Sequence, residues 1–144
     1  MTYARKSDLI ERYGERELVQ LTDRTRTPPT TVDDVVADRA LGDAASLIDG
    51  YLGKVYALPL ASVPANLTKI QADVARYYLH GKAADKDSAV TRAYGEAIAW
   101  LRDVAAGRIR LDDGAGDAPA PLPGGAGRVQ AGRPVFTRDS LKGF

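Results

Sequence analysis

Few side chains in this 144-residue sequence are of the types that catalyse reactions or bind metal ions. The single histidine, His80, falls at the end of a predicted helix, and there is no cysteine. A histidine-based triad, a multi-histidine metal site and a thiolate site are therefore excluded within one chain. The neighbouring carboxylates of Asp33 and Asp34 precede an apolar run at helical spacing, where helix capping fits better than proton transfer.

Phosphate-binding motifs are missing as well. Residues 124–127 (GGAG) are glycine-rich, but they lack the lysine and the following helix that phosphate binding needs. No Gly-x-Gly-x-x-Gly sequence follows a predicted strand. We therefore predict that the protein is not an enzyme and has no catalytic residues, no metal site and no cofactor.

The composition is typical of a globular protein with balanced charge. Hydrophobic residues make up 44% of the sequence and charged residues 27%, with a net charge of +1. These values argue against a disordered polyelectrolyte and against a strongly basic nucleic-acid-binding protein. No apolar run approaches the roughly 18 residues of a membrane span, and no apolar signal core follows the first residues. We expect a soluble protein that is synthesised in the cytoplasm and does not contact a membrane.

Apolar residues recur at helical spacing over the first part of the sequence and predict an all-α fold. The expected fold is a small bundle of three main helices with one or two short N-terminal ones. The predicted helices span residues 7–13, 15–21, 32–53, 65–79 and 88–106.

Turn and capping residues predict how these helices begin and end. Gly14 is placed to end the first helix in a left-handed conformation. Thr31 is placed to cap the first long helix, with Asp34 completing a capping box. Segment 22–31 is expected to be an exposed connecting loop. Segment 55–64 is too apolar for an ordinary loop and is expected to be extended and packed across the helices.

Two carboxylates on the predicted inner faces need partners. Asp49 lies on the otherwise apolar last turns of helix 32–53, and Asp73 lies three residues before Arg76. We expect either of them to pair with Arg76 as a structural ion pair.

Trp100 lies beside the main apolar stripe of the last helix, which consists of Val90, Tyr94, Ile98, Leu101 and Ala105. It lines up with other apolar residues, so the apolar surface of this helix is wide. Either the core contact is broad, or Trp100 belongs to an interface with another protein subunit, where aromatic residues are enriched.

The sequence changes character after residue 111, which predicts three parts: a helical body over 1–111, a linker over 112–127 and a docking arm over 128–144. Residues 108–111 alternate basic and apolar side chains and are expected to form a short strand or an extended exit. The linker contains five glycines, three prolines and four alanines in sixteen residues, a composition that cannot form a core. Its net charge is −3, whereas that of the arm is +3.

The arm interleaves basic and large apolar side chains. This pattern suits a peptide that anchors in grooves on another protein, with apolar side chains in pockets and arginines on acidic rims. The same bases could contact nucleic-acid phosphates, a reading that we consider weaker. The expected interface residues of the arm are Arg128, Arg133, Phe136, Arg138, Leu141 and Phe144.

Several strings in this order resemble the Mu-like phage and prophage family of small head-to-tail adaptor proteins, also called head completion or connector proteins. The likeness covers nearly the whole chain. The strings are DLIERYGERELVQLTD (8–23), LIDGYLGKVYALPLASVP (47–64), DVARYYL (73–79), AIAWLRDVAAG (97–107) and VFTRDSLKGF (135–144).

The resemblance implies a structural virion protein that forms a ring beneath the portal and joins the DNA-filled head to the tail. Its implied partners are the portal protein, neighbouring copies in a ring of about twelve, and a tail-side stopper or tail terminator protein. DNA would pass through the channel without sequence-specific binding, which agrees with the balanced charge. The alternative is a DNA-binding regulator or packaging accessory protein that uses the basic arm.

Overall fold

Five α-helices account for most of residues 1–111, the part of the chain described by the computed structural model. No strand occurs in that range, which confirms the all-α class. All predicted helices are present, with ends close to the predicted ones. They are α1 (Lys6–Tyr13), α2 (Glu15–Thr22), α3 (Asp34–Leu52), α4 (Ala65–His80) and α5 (Ala89–Ala105).

Helix α4 lies at the centre of the fold. It packs against α1, α2, α3 and α5. The middle of α4 is buried at successive positions, so its polar side chains lie in the interior, where each needs a hydrogen-bond partner. Two polar residues, Gln71 and Asp73, therefore decide how the outer elements are attached. The buried run of α4 consists of Ile70, Gln71, Ala72, Asp73, Val74 and Ala75.

Small side chains on α3 allow close packing against α4 and α5. Alanine leaves room for the backbones of neighbouring helices to approach. The opposite face of α3 is polar and exposed, as the sequence pattern predicts. The buried alanines of α3 are Ala37, Ala40, Ala44 and Ala45.

The buried face of α5 differs from the predicted stripe. The predicted members Tyr94, Ile98 and Ala105 are only partly buried. The reason is that α5 packs against both α3 and α4, which leaves Tyr94 at the edge of the contact. Its ring stacks there on Tyr77, with centroids 4.1 Å apart. The buried residues of α5 are Val90, Ala97, Leu101 and Val104.

Helix α3 is capped by Asp33, so the prediction of a Thr31 cap is wrong. The carboxylate of Asp33 accepts hydrogen bonds from two backbone N–H groups of the first turn, at 2.9 and 3.2 Å. Thr31 lies too far before the helix, and its hydroxyl accepts a hydrogen bond from Arg26 Nη1 at 2.7 Å. Asp34 forms an ion pair with Lys6 at 2.6 Å instead of completing a capping box.

Gly14 joins α1 directly to α2. Its φ of 86° lies in the range that favours glycine, as predicted. Its ψ of 144°, however, lies outside the left-handed helical region, so the chain turns into α2 without a left-handed cap.

The loop between α2 and α3 is folded around the buried carboxylate of Asp23. This carboxylate accepts hydrogen bonds from the backbone N–H groups of Thr30, at 3.1 Å, and Arg26, at 3.2 Å. These bonds, that of Thr30 first, lower the pKa of Asp23 below its ordinary value. Residues 24–31 are exposed, as predicted, but they do not form a plain connector.

Gln71 attaches the N-terminal segment to the centre of the fold. Its Oε1 accepts hydrogen bonds from the backbone N–H groups of Tyr3, at 2.6 Å, and Ala4. Its Nε2 donates to the carbonyl oxygen of Leu41 on α3 at 2.8 Å. One buried side-chain amide therefore joins α3, α4 and the segment before α1.

Asp49 also binds the N-terminal segment, so the prediction of an Asp49–Arg76 pair is wrong. Asp49 accepts a hydrogen bond from the Tyr3 hydroxyl and pairs with the amino group of Met1 at 2.6 Å. The segment packs across α3 and α4, which places its polar groups closer to Asp49 than the guanidinium of Arg76.

The connection from α3 to α4 is packed against the helices, as predicted, but it contains turns and bends where an extended segment was expected. Tyr56 and Leu60 in this connection are buried. Residues 108–111 form no strand; the chain turns after α5 and returns Leu111, which is 2% exposed, to the core. The backbone N–H of Leu111 donates to the Tyr56 hydroxyl at 3.0 Å.

Replacing Gln71 with leucine should strongly destabilise the fold. The change keeps the side chain's approximate size but leaves two buried N–H groups, those of Tyr3 and Ala4, without a partner. At about 1–3 kcal/mol for each such group, the free energy of unfolding should fall by about 2–6 kcal/mol. Urea unfolding followed by circular dichroism measures this loss. The matched control is Gln20→Leu at an exposed position of α2, and equal losses in the two variants would contradict the assigned role of Gln71.

Candidate interaction surface

A cluster of charged and aromatic side chains joins α1, α2 and α4. Arg76 binds Glu17 through two hydrogen bonds, from Nε at 2.6 Å and from Nη2 at 3.0 Å. The guanidinium also lies 4.3 Å from the centre of the Tyr13 ring. The Tyr13 hydroxyl donates to Asp73 at 2.6 Å, and Lys69 donates to the same carboxylate at 2.8 Å. Each charge in the cluster thus has a partner, as partly buried charges require.

This cluster shows that the predicted Asp73–Arg76 pair is also wrong. Packing of α2 against α4 brings Glu17 to Arg76. Its carboxylate then matches the planar guanidinium with two bonds, which a neighbour on the same helix cannot easily do. Asp73 is left to bind Tyr13 and Lys69.

The ionisable groups of the cluster fix the helices to one another. Burial, together with the hydrogen bond to Asp73, raises the pKa of Tyr13 above its ordinary value. His80 lies at the end of α4, as predicted, and is partly buried. Its Nε2 is 3.4 Å from Glu17 Oε1, a carboxylate that Arg76 already engages.

Trp100 lines a cavity of about 230 Å³ between α4 and α5. The tryptophan is partly buried and packs against the core, which agrees with the reading of a broad core contact. The other reading, in which Trp100 belongs to an interface with another protein subunit, stays a prediction. The remaining lining residues are Asn66, Lys69, Ile70, Glu96 and Ala97.

A larger cavity of about 600 Å³ opens where α2 meets the end of α4. Arg24, His80 and Lys82 lie on its lining, together with apolar residues such as Leu21. Arg24 Nη2 donates to the carbonyl oxygen of Leu79 at 3.1 Å, which fixes the guanidinium at this edge. This part of the surface is basic.

The predicted arm residues Arg128, Arg133, Phe136, Arg138, Leu141 and Phe144 lie outside the described residues, as does the linker. Within residues 1–111, no group of three or more histidine and carboxylate side chains is placed to hold a metal ion. In the same range, none of the helices has both the length and the apolar character needed to span a membrane.

Comparison with known proteins identifies the family. The family described as Bacteriophage Mu, Gp36 matches residues 3–130. This chain belongs to the Gp36 family.

Relatives of this Gp36-family chain are found in a phage and in a prophage. Gene product J of Escherichia phage Mu is 38% identical over 146 residues, which cover 100% of this chain and 99% of the phage protein. The Mu-like prophage FluMu protein gp36 of Haemophilus influenzae is 35% identical over 142 residues, which cover 99% and 97% of the two chains. The predicted relation to Mu-like phage and prophage proteins is therefore confirmed at the level of the family.

The sequence pattern of this Gp36-family chain singled out Trp100. It predicted neither the residues that line the cavity beside Trp100 nor the hydrogen bonds and ion pairs that join the helices. Asn66 and Lys69 reach the cavity from α4, and only the packing of α4 on α5 brings them there. Gln71 did leave a signal, since it interrupts the apolar string IQADVA (70–75) in the middle of a helix. The Glu17–Arg76 pair left none, because its members are far apart in the sequence.

Tyr13 should ionise at higher pH in the folded protein than in the unfolded chain. Because its pKa is raised on folding, the neutral phenol stabilises the fold below the ordinary pKa of tyrosine, and this contribution disappears as pH rises through the folded pKa. Absorbance at 295 nm, titrated for the wild type and for Tyr13→Phe, isolates this residue as a difference. The midpoint of this difference titration should move to lower pH in urea, where the chain is unfolded. If it titrates at the same pH with and without urea, the burial and the Asp73 bond do not act on Tyr13 as described.

Proposed function

We propose that this protein is a structural component of a phage particle, a head-to-tail adaptor that forms a ring beneath the portal and joins the DNA-filled head to the tail. The observation that carries the proposal is membership of the Gp36 family along nearly the whole chain. The adaptor role itself comes from the resemblance of the strings in segments 8–23, 47–64, 73–79, 97–107 and 135–144 to Mu-like head-to-tail adaptors.

The described part of the chain supports a structural role through the way its polar residues are used. Gln71, Asp73 and Arg76 all bind other elements of the same body, which makes the bundle a well-defined building block. A ring is made from contacts between two different faces of identical subunits. The body offers different faces: an acidic outer side of α3, where Val35 is 67% exposed, and the Trp100 cavity between α4 and α5.

The proposed partners follow from that position in the particle. The portal protein lies above, a tail-side stopper or tail terminator protein below, and neighbouring copies, about twelve in the ring, alongside. DNA passes through the channel without sequence-specific contacts. The protein is thus assigned to the neck of the virion after synthesis in the bacterial host cytoplasm.

Deleting residues 128–144 should abolish stable attachment to the portal and lower the yield of infectious particles. The physical reason is that the arm supplies apolar anchors and arginines to a partner surface. Co-sedimentation with portal rings and complementation of a phage that lacks the gene measure the two effects. The matched control keeps residues 128–144 in reversed order, which preserves length, composition and charge but reverses the order of the anchors along the chain. Portal binding and infectivity at wild-type levels after the deletion would rule out this use of the arm.

DNA binding should be weak and should not depend on the arm. Titration of duplex DNA against the full chain and against the variant that lacks residues 128–144, at several salt concentrations, tests this. A protein that neutralises phosphates with clustered bases loses affinity steeply as salt rises. Tight, salt-sensitive binding that disappears with the deletion would instead favour a DNA-binding regulator or packaging accessory protein.

A further inference from the structure

The cavity beside Trp100 has the dimensions of a slot for one aromatic ring. Its volume is about 230 Å³, while an engineered apolar cavity of about 150 Å³ suffices to bind benzene. Ile70 and Ala97, which are 7% and 1% exposed, form the floor. Trp100 forms a partly buried wall against which a second ring can stack or pack edge to face.

The rim of this slot carries one uncompensated negative charge. Asn66, Lys69 and Glu96 are exposed and surround the apolar floor. The Lys69 ammonium is held by Asp73 at 2.8 Å. Glu96 forms no ion pair with any residue of the range 1–111. This slot therefore favours a ligand that has an aromatic ring for the apolar floor and a positive charge next to it for Glu96.

The chain itself contains such a group. Its only two phenylalanines, Phe136 and Phe144, both follow residue 111. Phe136 has a guanidinium on each side, Arg133 and Arg138, whereas the basic residue nearest to Phe144 is a single lysine. We propose that the Phe136 ring occupies the Trp100 slot of its own chain, with an adjacent arginine beside Glu96.

Chain length permits this contact. Residues 112–135 number 24, and a segment of that length spans up to about 80 Å when fully extended. Trp100 is close to the end of α5, since each helical residue advances only about 1.5 Å along the axis. A tethered group meets its site at an effective concentration of about the millimolar range, so the chain's own Phe136 prevails over that of a second copy at micromolar protein.

Through this contact the arm would bind to the body of its own chain before assembly. The aromatic side chain is then covered in the free subunit and becomes available when a stronger partner takes it. The inference does not rest on the adaptor role, because the slot, its charge and the phenylalanine belong to this chain alone.

Trp100 reports on the contact directly, since it is the only tryptophan in the chain. Phe136→Ala in the full-length protein should uncover the indole, which shifts its emission to longer wavelength and raises the Stern–Volmer constant for acrylamide quenching. Phe144→Ala is the matched control and should behave like the wild type. Circular dichroism of both variants confirms that the helices are retained.

Two further measurements make the result decisive. Glu96→Gln should produce part of the Phe136→Ala shift at low salt and less at high salt, because the rim charge is screened. The wild-type emission should not change on dilution, as an intramolecular contact requires. The proposal is overturned if Phe136→Ala leaves quenching unchanged, if Phe144→Ala reproduces its effect, or if the emission shifts with protein concentration. None of those results affects the portal-binding experiment, so the two proposals fail separately.

Discussion

The complete burial of the middle of α4, residues 70–75, is the constraint on which the rest of this fold depends. A central helix cannot leave its polar side chains without partners, because an unsatisfied buried group costs more than a formed hydrogen bond gains. Gln71 meets this demand by binding the N-terminal segment and α3, and Asp73 meets it by binding Tyr13 on α1. Arg76 completes the arrangement through Glu17 on α2. Apolar packing brings the helices together, and these bonds fix which outer element lies against which side of α4.

Local patterns in the sequence are sufficient to predict the helices, but not to predict which residues of different helices contact one another. Apolar spacing predicts all five helices, since each must bury one face, and glycine at position 14 predicts the break between the first two. The same spacing misplaces the buried face of α5, because two helices share that face and only their packing decides its centre. The Arg76 partner was wrong for the same reason: Asp73 is near in sequence, but Glu17 is near in space. Both Thr31 and Asp33 are residue types that cap helices. The sequence could not exclude Thr31, because its hydroxyl accepts a hydrogen bond from Arg26 only in the folded loop.

The candidate interaction surface was predicted to a similar degree. The position of Trp100 beside the main apolar stripe predicts an aromatic side chain that is only partly buried in the core, and Trp100 is partly buried in the structure. The polar rim of its cavity could not be foreseen, because Asn66 and Lys69 come from another helix. Family membership was foreseeable from strings such as LPL (58–60) in a fixed order, which carry packing information and no catalytic chemistry. The use of the arm remains a prediction from residue types and spacing.

The loop after α2 has a consequence for recognition. Most exposed loops must be ordered when a partner binds, at a cost of about 1–2 kcal/mol of backbone entropy for each residue that is fixed. Here Asp23 already holds the backbone at Arg26 and Thr30, and the Arg26 side chain is held by two threonine hydroxyls. Any surface that docks on this loop therefore meets a preorganised arginine and gains its contacts without that entropic loss. In any assembly of identical subunits, this entropic loss would be avoided once for each copy of the loop.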